Sequence, residues 1–366
     1  MNKITHRVYN FGAGPAALAE EVMIQAHEEF FNYRGMGISV LELSHRSDAF
    51  IAIAKQAEKD LRELMVIPDH YKVLFLHGGG QGQFAAIPMN LLGVRKQMDY
   101  FNTGIWSGLA IEAAKKYGEV NIVASGEKSD FTTIPAQSEW KLNSDAAYVH
   151  YCDNETVNGI AFDGIPHVRE APLVVDMSSN ILSEPIDVNQ FGMIYAGAQK
   201  NIGPAAMAIV IVKKDLIGRA MKCTPPIWDY AVQAEADSMR NTPPTFAWYM
   251  AGLGFQWLKR QGGVKAIAEI NRRKAKKLYD FIDHHNDFYC NKIDSRYRSK
   301  MNVIFSLPTK ELDQKFISEA ENAGLFGLKG HQKVGGVRAS IYNTMTEQGV
   351  DALLNFMDNF VKKNRR

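Results

Sequence analysis

A chain of 366 residues has room for about two domains, and its 46% hydrophobic and 22% charged residues are those of an ordinary globular protein. With 42 basic against 40 acidic side chains the net charge is +2, a field too weak to gather nucleic acid or a membrane surface, so a small-molecule partner is expected. Cys152, Cys223 and Cys290 are scattered without metal-ligand spacing, Met1 to Asn10 lacks an apolar h-region, and no apolar run approaches a membrane span. A soluble protein of the reducing cytoplasm, with neither a disulfide framework nor a metal site, is expected.

In chain order, Phe11-Gly12-Ala13-Gly14-Pro15 reads as a turn leading into a helix from about Glu20 to Asn32, with Val22, Ala26 and Phe30 on one face. Glu42, Ser44, His45 and Arg46 fall in a short polar loop. Ser47 then caps a second helix that reaches Met65, with Phe50, Ile53, Ala57, Leu61 and Leu64 at helical spacing. Tyr71 to Leu76, the glycine run Gly78 to Gly82 and a helix through Leu92 form a strand-loop-helix unit. Glycines that open a helix expose backbone N–H groups at the positive end of its dipole, which suits a phosphate, although a glycine cluster alone equally marks a tight turn. The P-loop pattern is excluded because no Lys-Ser/Thr pair follows the last glycine.

A strand near Met98 to Phe101 leads through Asn102-Thr103-Gly104-Ile105-Trp106 into a helix ending near Tyr117. Trp106 either lies on a planar ring or plugs helix against sheet. Strands at Val120 to Ala124, Ala147 to Tyr151, Leu173 to Val175, Met193 to Ala196 and Met207 to Val212 continue the series, which predicts a mostly parallel sheet covered on both faces. The strand Leu173 to Val175 ends in Asp176, at the carboxyl end where open α/β sheets hold ligands. Lys200 stands between Ala198 and the apolar segment Ala205 to Val212. Burial disfavours the ammonium form, so a lysine in such surroundings becomes a nucleophile able to form a Schiff base with an aldehyde. Asp then Lys, one strand-loop-strand unit apart, matches pyridoxal phosphate, whose pyridine nitrogen needs a carboxylate partner and whose aldehyde needs an amine.

Asn154-Glu155-Thr156 lies past another strand end, as either ligand contacts or a simple turn. Asn241 and Thr242, before Pro243-Pro244, lie on an irregular segment. From Gly262 a smaller α/β unit is expected. Its long helix, Val264 to His284, turns Ile267, Ile270, Leu278 and Phe281 inward and Arg272-Arg273-Lys274 with Lys276-Lys277 to solvent; Met301 to Leu307 and Ala339 to Tyr342 are strand-like, with helices from Leu312 to Ala323 and from Glu347 to Val361. Arg338, beside a glycine pair, can grip a carboxylate with two parallel hydrogen bonds or make a surface ion pair, and His331 and Lys333 can meet a second anion.

Taken together, Phe11 to Ala16, Ser44 to Ser47, Gly78 to Phe84, Gly104 to Ser107, Asn154 to Thr156, Val175 to Ser179, Gln199 to Pro204, Asn241 to Pro244 and Gly335 to Asn343 resemble the phosphoserine aminotransferases, class-V enzymes of fold type I. The resemblance spans nearly the whole chain. It implies an α/β fold with a large pyridoxal-phosphate-binding domain at 16–260 and a small domain made of 1–15 and 261–366. It further implies a homodimer with active sites at the subunit interface, and amino transfer from L-glutamate to 3-phosphohydroxypyruvate, with a second role in vitamin B6 synthesis in bacterial members. By motif, Lys200 is the Schiff-base lysine, Asp176 the pyridinium partner, Trp106 the stacking residue and Thr156 the partner of the ring hydroxyl. Gly80, Gln81 and Gln199 hold the cofactor phosphate, joined by Asn241 and Thr242 of the other subunit. Arg338 clamps the substrate carboxylate, while Ala13, His45, Arg46 and His331 line the rest of the substrate site. Two positions depart from the family pattern: Gln332 stands where many members have arginine, and Gln81 where some bacterial members do. Three rival readings remain: another class-V aminotransferase with a different keto-acid substrate; a cysteine desulfurase, for which Cys223 is the sole nucleophile to consider although nothing around it activates a thiol; and a silent binding protein, which has no use for Lys200 and Asp176.

Overall fold

The computed structural model describes residues 7–168 and 170–365, so Met1–His6, Arg169 and Arg366, which belong to the expected domain segments, lie outside the described residues. The elements run β1 (Tyr9–Asn10), α1 (Glu20–Glu29), α2 (Asp48–Met65), β2 (Tyr71–His77), α3 (Gly79–Leu91), β3 (Gln97–Asn102), α4 (Ile105–Ala114), β4 (Glu119–Ser125), β5 (Val149–Cys152), β6 (Asn154–Glu155), β7 (Ile160–Ala161), β8 (Leu173–Asp176), β9 (Met193–Gly197) and β10 (Met207–Lys213). There follow α5 (Tyr230–Glu235), α6 (Thr245–Arg260), α7 (Gly263–His284), β11 (Asn302–Phe305), α8 (Lys310–Asn322), β12 (Leu325–Phe326), β13 (Val337–Ser340) and α9 (Glu347–Asn364).

Among the described residues the main sheet has the order β2-β10-β9-β8-β5-β3-β4. Only β10 runs antiparallel, to β2 and to β9, so β2, β3, β5, β8 and β9 all present their carboxyl ends along one edge. That edge is where the chain leaves β2 at Gly78, β3 at Thr103, β5 at Asp153, β8 at Met177 and β9 at Ala198. Apolar side chains fill both faces: Val175, Ile194, Ile209 and Ile211 look toward α2 and α6, and Val174, Tyr195, Val210 and Val212 toward α3 and α4. Burial on both faces explains why these strands read as continuous apolar runs.

Local rules account for several elements. Ser47 accepts the Phe50 N–H at the start of α2, and Val66, in the left-handed region at φ 53°, ends that helix before Pro68 is reached. A second core joins Phe11 to residues of α7, α8, α9, β11 and β13, while β1 pairs in parallel with β12 through Tyr9↔Leu325 and Asn10↔Phe326. Arg338 is carried by β13, opposite Ile304 of β11.

Three expectations are corrected. The first helix stops at Glu29, short of Asn32. Two helices, α5 and α6, are absent from the sequence reading; α6 buries Ala247, Trp248, Tyr249, Met250, Ala251, Gly252, Leu253, Phe255 and Leu258, so it has no polar stripe to mark a helical period. Lys274 is not on the solvent face of α7: it is fully buried, and its Nζ donates to the carbonyls of Ile341, Tyr342 and Met345 at 3.0, 2.7 and 2.9 Å. A cation there satisfies three backbone acceptors where the chain leaves β13, something a run of basic letters cannot disclose.

Candidate active site

The sheet edge gathers the candidate residues. Lys200, just past β9, places Nζ 5.3 Å from the centre of the Trp106 ring. Burial pushes its ammonium below the ordinary lysine range; the acidic groups nearby, Asp176 foremost, oppose that shift, and Arg338 adds to it. Asp176, the last residue of β8, is held by Ser178, whose N–H and hydroxyl donate to Oδ1 at 2.9 and 2.5 Å. The Ser178 hydroxyl also accepts the Gly197 N–H at 2.9 Å, tying the carboxylate to the end of β9. Oδ2 makes no hydrogen bond among the described residues and is left for an incoming N–H.

Trp106 lies in the first turn of α4, with its indole Nε1 donating to Thr156 Oγ1 at 2.8 Å. That leaves the threonine O–H free to donate outward. The Thr156 carbonyl accepts from Arg338 Nη1 at 3.3 Å, which brings β13 to the same edge. Arg338 Nε is buried without a partner, so the guanidinium edge formed by Nε and Nη2 is the one available to a carboxylate. The first turn of α3 approaches from the other side: a Cβ on Gly80 would stand 3.2 Å from Ser178 Oγ and 3.7 Å from Gly197 N. Its leading N–H groups have no acceptor within the helix and form an anion site at the dipole's positive end. Gln199 packs against Gly14, its carbonyl accepts the Ala16 N–H at 2.8 Å, and the Ala13 carbonyl accepts from Tyr342 Oη at 2.7 Å.

Thus Lys200, Asp176, Trp106, Thr156, Arg338, Gly80, Gln199 and Ala13 meet at one place. The remaining candidates are not joined to this group by any hydrogen bond, ion pair or ring contact of the described residues. His45 is half-buried with Nε2 unpartnered, and Arg46 is exposed, its N–H on Ser44 Oγ. His331 Nδ1 accepts the Lys333 N–H at 3.3 Å; Gln81 and Thr242 are exposed, and Asn241 faces Gln233 at 3.5 Å. The sequence reading assigned no role to Ser178 or Glu155. Ser178 carries the signal of a hydroxyl two residues after an aspartate; Glu155 carries none, because its partners are on α4, 49 residues earlier at Trp106.

An amine of depressed basicity, a fixed carboxylate opposite it, a flat indole, an outward hydroxyl and a glycine-lined helix start fit a planar aldehyde with a ring nitrogen, a ring oxygen and a phosphate. The carboxylate of Asp176, held by Ser178 through Oδ1 alone, and the space kept by Gly80 are the observations that carry this fit.

The family model of class-V aminotransferases matches residues 8–353. A phosphoserine aminotransferase of Hahella chejuensis is 55% identical over 358 residues, 98% of this chain and 99% of that one. Among solved structures, phosphoserine aminotransferase from Bacillus circulans subsp. alkalophilus superposes with a TM-score of 0.95 at 42% identity, covering 98% and 99% of the two chains. The PLP-bound phosphoserine aminotransferase of Trichomonas vaginalis superposes at 0.93 with 42% identity, covering 96% and 100%.

Proposed function

Because the chain belongs to the class-V aminotransferases, we propose that it moves the amino group of L-glutamate to 3-phosphohydroxypyruvate, giving O-phospho-L-serine and 2-oxoglutarate for L-serine synthesis, with pyridoxal 5′-phosphate as cofactor. The observation that carries this reading is Lys200 Nζ set 5.3 Å from the Trp106 ring, beside a Thr156 bound on one side to that indole and on the other to Arg338.

When bound, pyridoxal phosphate supplies an aldehyde for the lysine and an electron sink for the charge that develops at the substrate Cα. The chain's own groups do the rest. Lys200 would be the base that takes the proton from the substrate Cα and delivers it to the former aldehyde carbon, two atoms along, and its depressed basicity favours the amine form that accepts a proton. Asp176, fixed by Ser178, would hold the ring nitrogen's proton through Oδ2. Trp106 would stack on the ring, and Thr156 would donate to the ring oxygen. Gly80, Gln81 and Gln199 receive the phosphate, with Asn241 and Thr242 of a second copy completing the site in a homodimer. The Nε–Nη2 edge of Arg338 grips the carboxylate common to both substrates. His45, Arg46 and His331 would receive the substrate's distal anion, and Ala13 would line the substrate site.

The pairing of β1 with β12 and the place of Phe11 in the second core support assigning 1–15 with 261–366 to the small domain and 16–260 to the large one. A cytoplasmic location agrees with the absence, among the described residues, of any helix long and apolar enough to cross a membrane. The four-carbon homologue used in vitamin B6 synthesis belongs to the same proposal, since it presents the same carboxylate and phosphate. Gln332, exposed beside His331, favours a second reading in which another keto acid is the acceptor, because no guanidinium stands there to fork a phosphate. The test is a visible spectrum that changes on adding glutamate, followed by rates with phosphorylated and unphosphorylated three-carbon keto acids. A strong preference for the phosphorylated acid is expected; equal rates would overturn the substrate assignment.

A further inference from the structure

Glu155, the last residue of β6, is fully buried, yet among the described residues no lysine, arginine or histidine pairs with its carboxylate. Its partners are backbone groups of another element: Oε2 accepts the Trp106 N–H at 2.9 Å and Oε1 the Ser107 N–H at 2.7 Å, both in the first turn of α4. The residue that should cap α4, Gly104, has no side chain to do so. Its bareness is required, because a Cβ at 104 would lie 2.6 Å from Glu155 Cδ and 2.8 Å from Oε2. The cap of α4 therefore comes from a different strand end, where the positive end of the helix dipole favours a carboxylate.

A serine cap at 104 would serve the helix locally without burying a carboxylate, whose desolvation is costly even when hydrogen-bonded. What the remote cap adds is geometry. Glu155 holds the backbone of Trp106, and the next residue, Thr156, holds its indole Nε1 at 2.8 Å, so consecutive side chains fix the tryptophan at both ends. We infer that Glu155 is a positioning residue for the cofactor site, setting the Trp106 plane over Lys200 and placing a second negative charge, beside that of Asp176, near the lysine nitrogen. The inference rests on the reading of Lys200 as the pyridoxal phosphate anchor.

Burial raises the Glu155 carboxyl above its ordinary range, and the Ser107 and Trp106 N–H groups, which favour the charged form, work against that rise; Glu155 is also among the groups that oppose the fall in Lys200 basicity. Glu155→Gln keeps the shape but turns an NH2 group toward one of the two N–H donors and removes the charge.

The test is titration of apoprotein with pyridoxal phosphate, together with a pH titration of the visible band of the loaded protein. In E155Q the dissociation constant should rise about tenfold, from one lost charge-assisted cap. The band midpoint should move to lower pH by about half a unit or more, because a charge favouring the protonated nitrogen is gone. Gly104→Ala, which forces the cap apart from the opposite side, should weaken binding in the same direction and serves alone if E155Q does not fold. Val350→Ala, in the second core, should lower the melting temperature and move neither quantity. Should E155Q, or G104A in its place, bind within twofold of wild type with an unmoved midpoint, Glu155 merely caps a helix and the inference is overturned. Wild-type protein that takes up no pyridoxal phosphate would instead overturn the reading of the site itself.

Discussion

Arg338→Lys tests the carboxylate clamp most directly. The arginine's Nη1 is tied to the Thr156 carbonyl at 3.3 Å, while Nε is buried without a partner, so the Nε–Nη2 edge is the part that meets a ligand. Burial also pushes the guanidinium below its usual range. A lysine keeps the charge and loses the fork: one of two charge-assisted hydrogen bonds goes, at about 1.5–3 kcal/mol, or roughly 10- to 150-fold in kcat/KM. The amino-donor and keto-acid half-reactions of a ping-pong enzyme can be followed separately by the visible band in stopped flow. Because both substrates carry the same carboxylate, both half-reactions should fall by the same factor. A fall confined to the phosphorylated keto acid would place Arg338 at the distal anion, and a change below about threefold in both would refute the clamp.

Gln332→Arg restores a guanidinium beside His331 and should lower KM for the phosphorylated keto acid about tenfold while leaving the glutamate half-reaction unchanged; steady-state kinetics with both substrates decide. If Asn241 and Thr242 serve the other subunit, mixing and refolding Lys200→Ala with Asn241→Ala, each inactive alone, should restore about a quarter of wild-type activity, since half the dimers are mixed and each has one intact site; no recovery from mixed dimers would refute the shared site. Lys274→Met leaves three buried carbonyls without their donor, for a net cost of about 2 kcal/mol after relief of the buried charge and a melting temperature lower by about 2–6 °C at pH 7. Burial pushes Lys274 from 10.5 to about 7, so between those values the unfolded chain binds a proton that the folded chain has released. Wild-type stability should therefore gain a component that rises with pH across that window, and a wild-type-minus-K274M difference that is flat with pH would contradict it.

Membership of the class-V aminotransferases, the mostly parallel sheet and the ends of most of its strands were legible in the sequence, and for identifiable reasons. Strands buried on both faces are continuous apolar runs, so Leu173 to Asp176 and Met193 to Gly197 stand out, and their polar successors mark the ligand edge. Ser47 announces α2 because capping acts over three residues. Each of these signals is local.

Tertiary structure decided the rest. The order β2-β10-β9-β8-β5-β3-β4, which brings Gly80 against Ser178 and Gly197, depends on pairings between segments far apart in the chain. The helix α6 gave no periodic signal because all its sides are covered, and Lys274 passed for a surface cation because only the packed β13 end supplies its three acceptors. Glu155 could not be recognised as the cap of α4 from either sequence alone, since neither the glycine it replaces nor the N–H groups it serves lie near it in the chain. Propensity and periodicity act over a turn or two of backbone, whereas desolvation and the satisfaction of buried polar groups are settled only when distant segments meet.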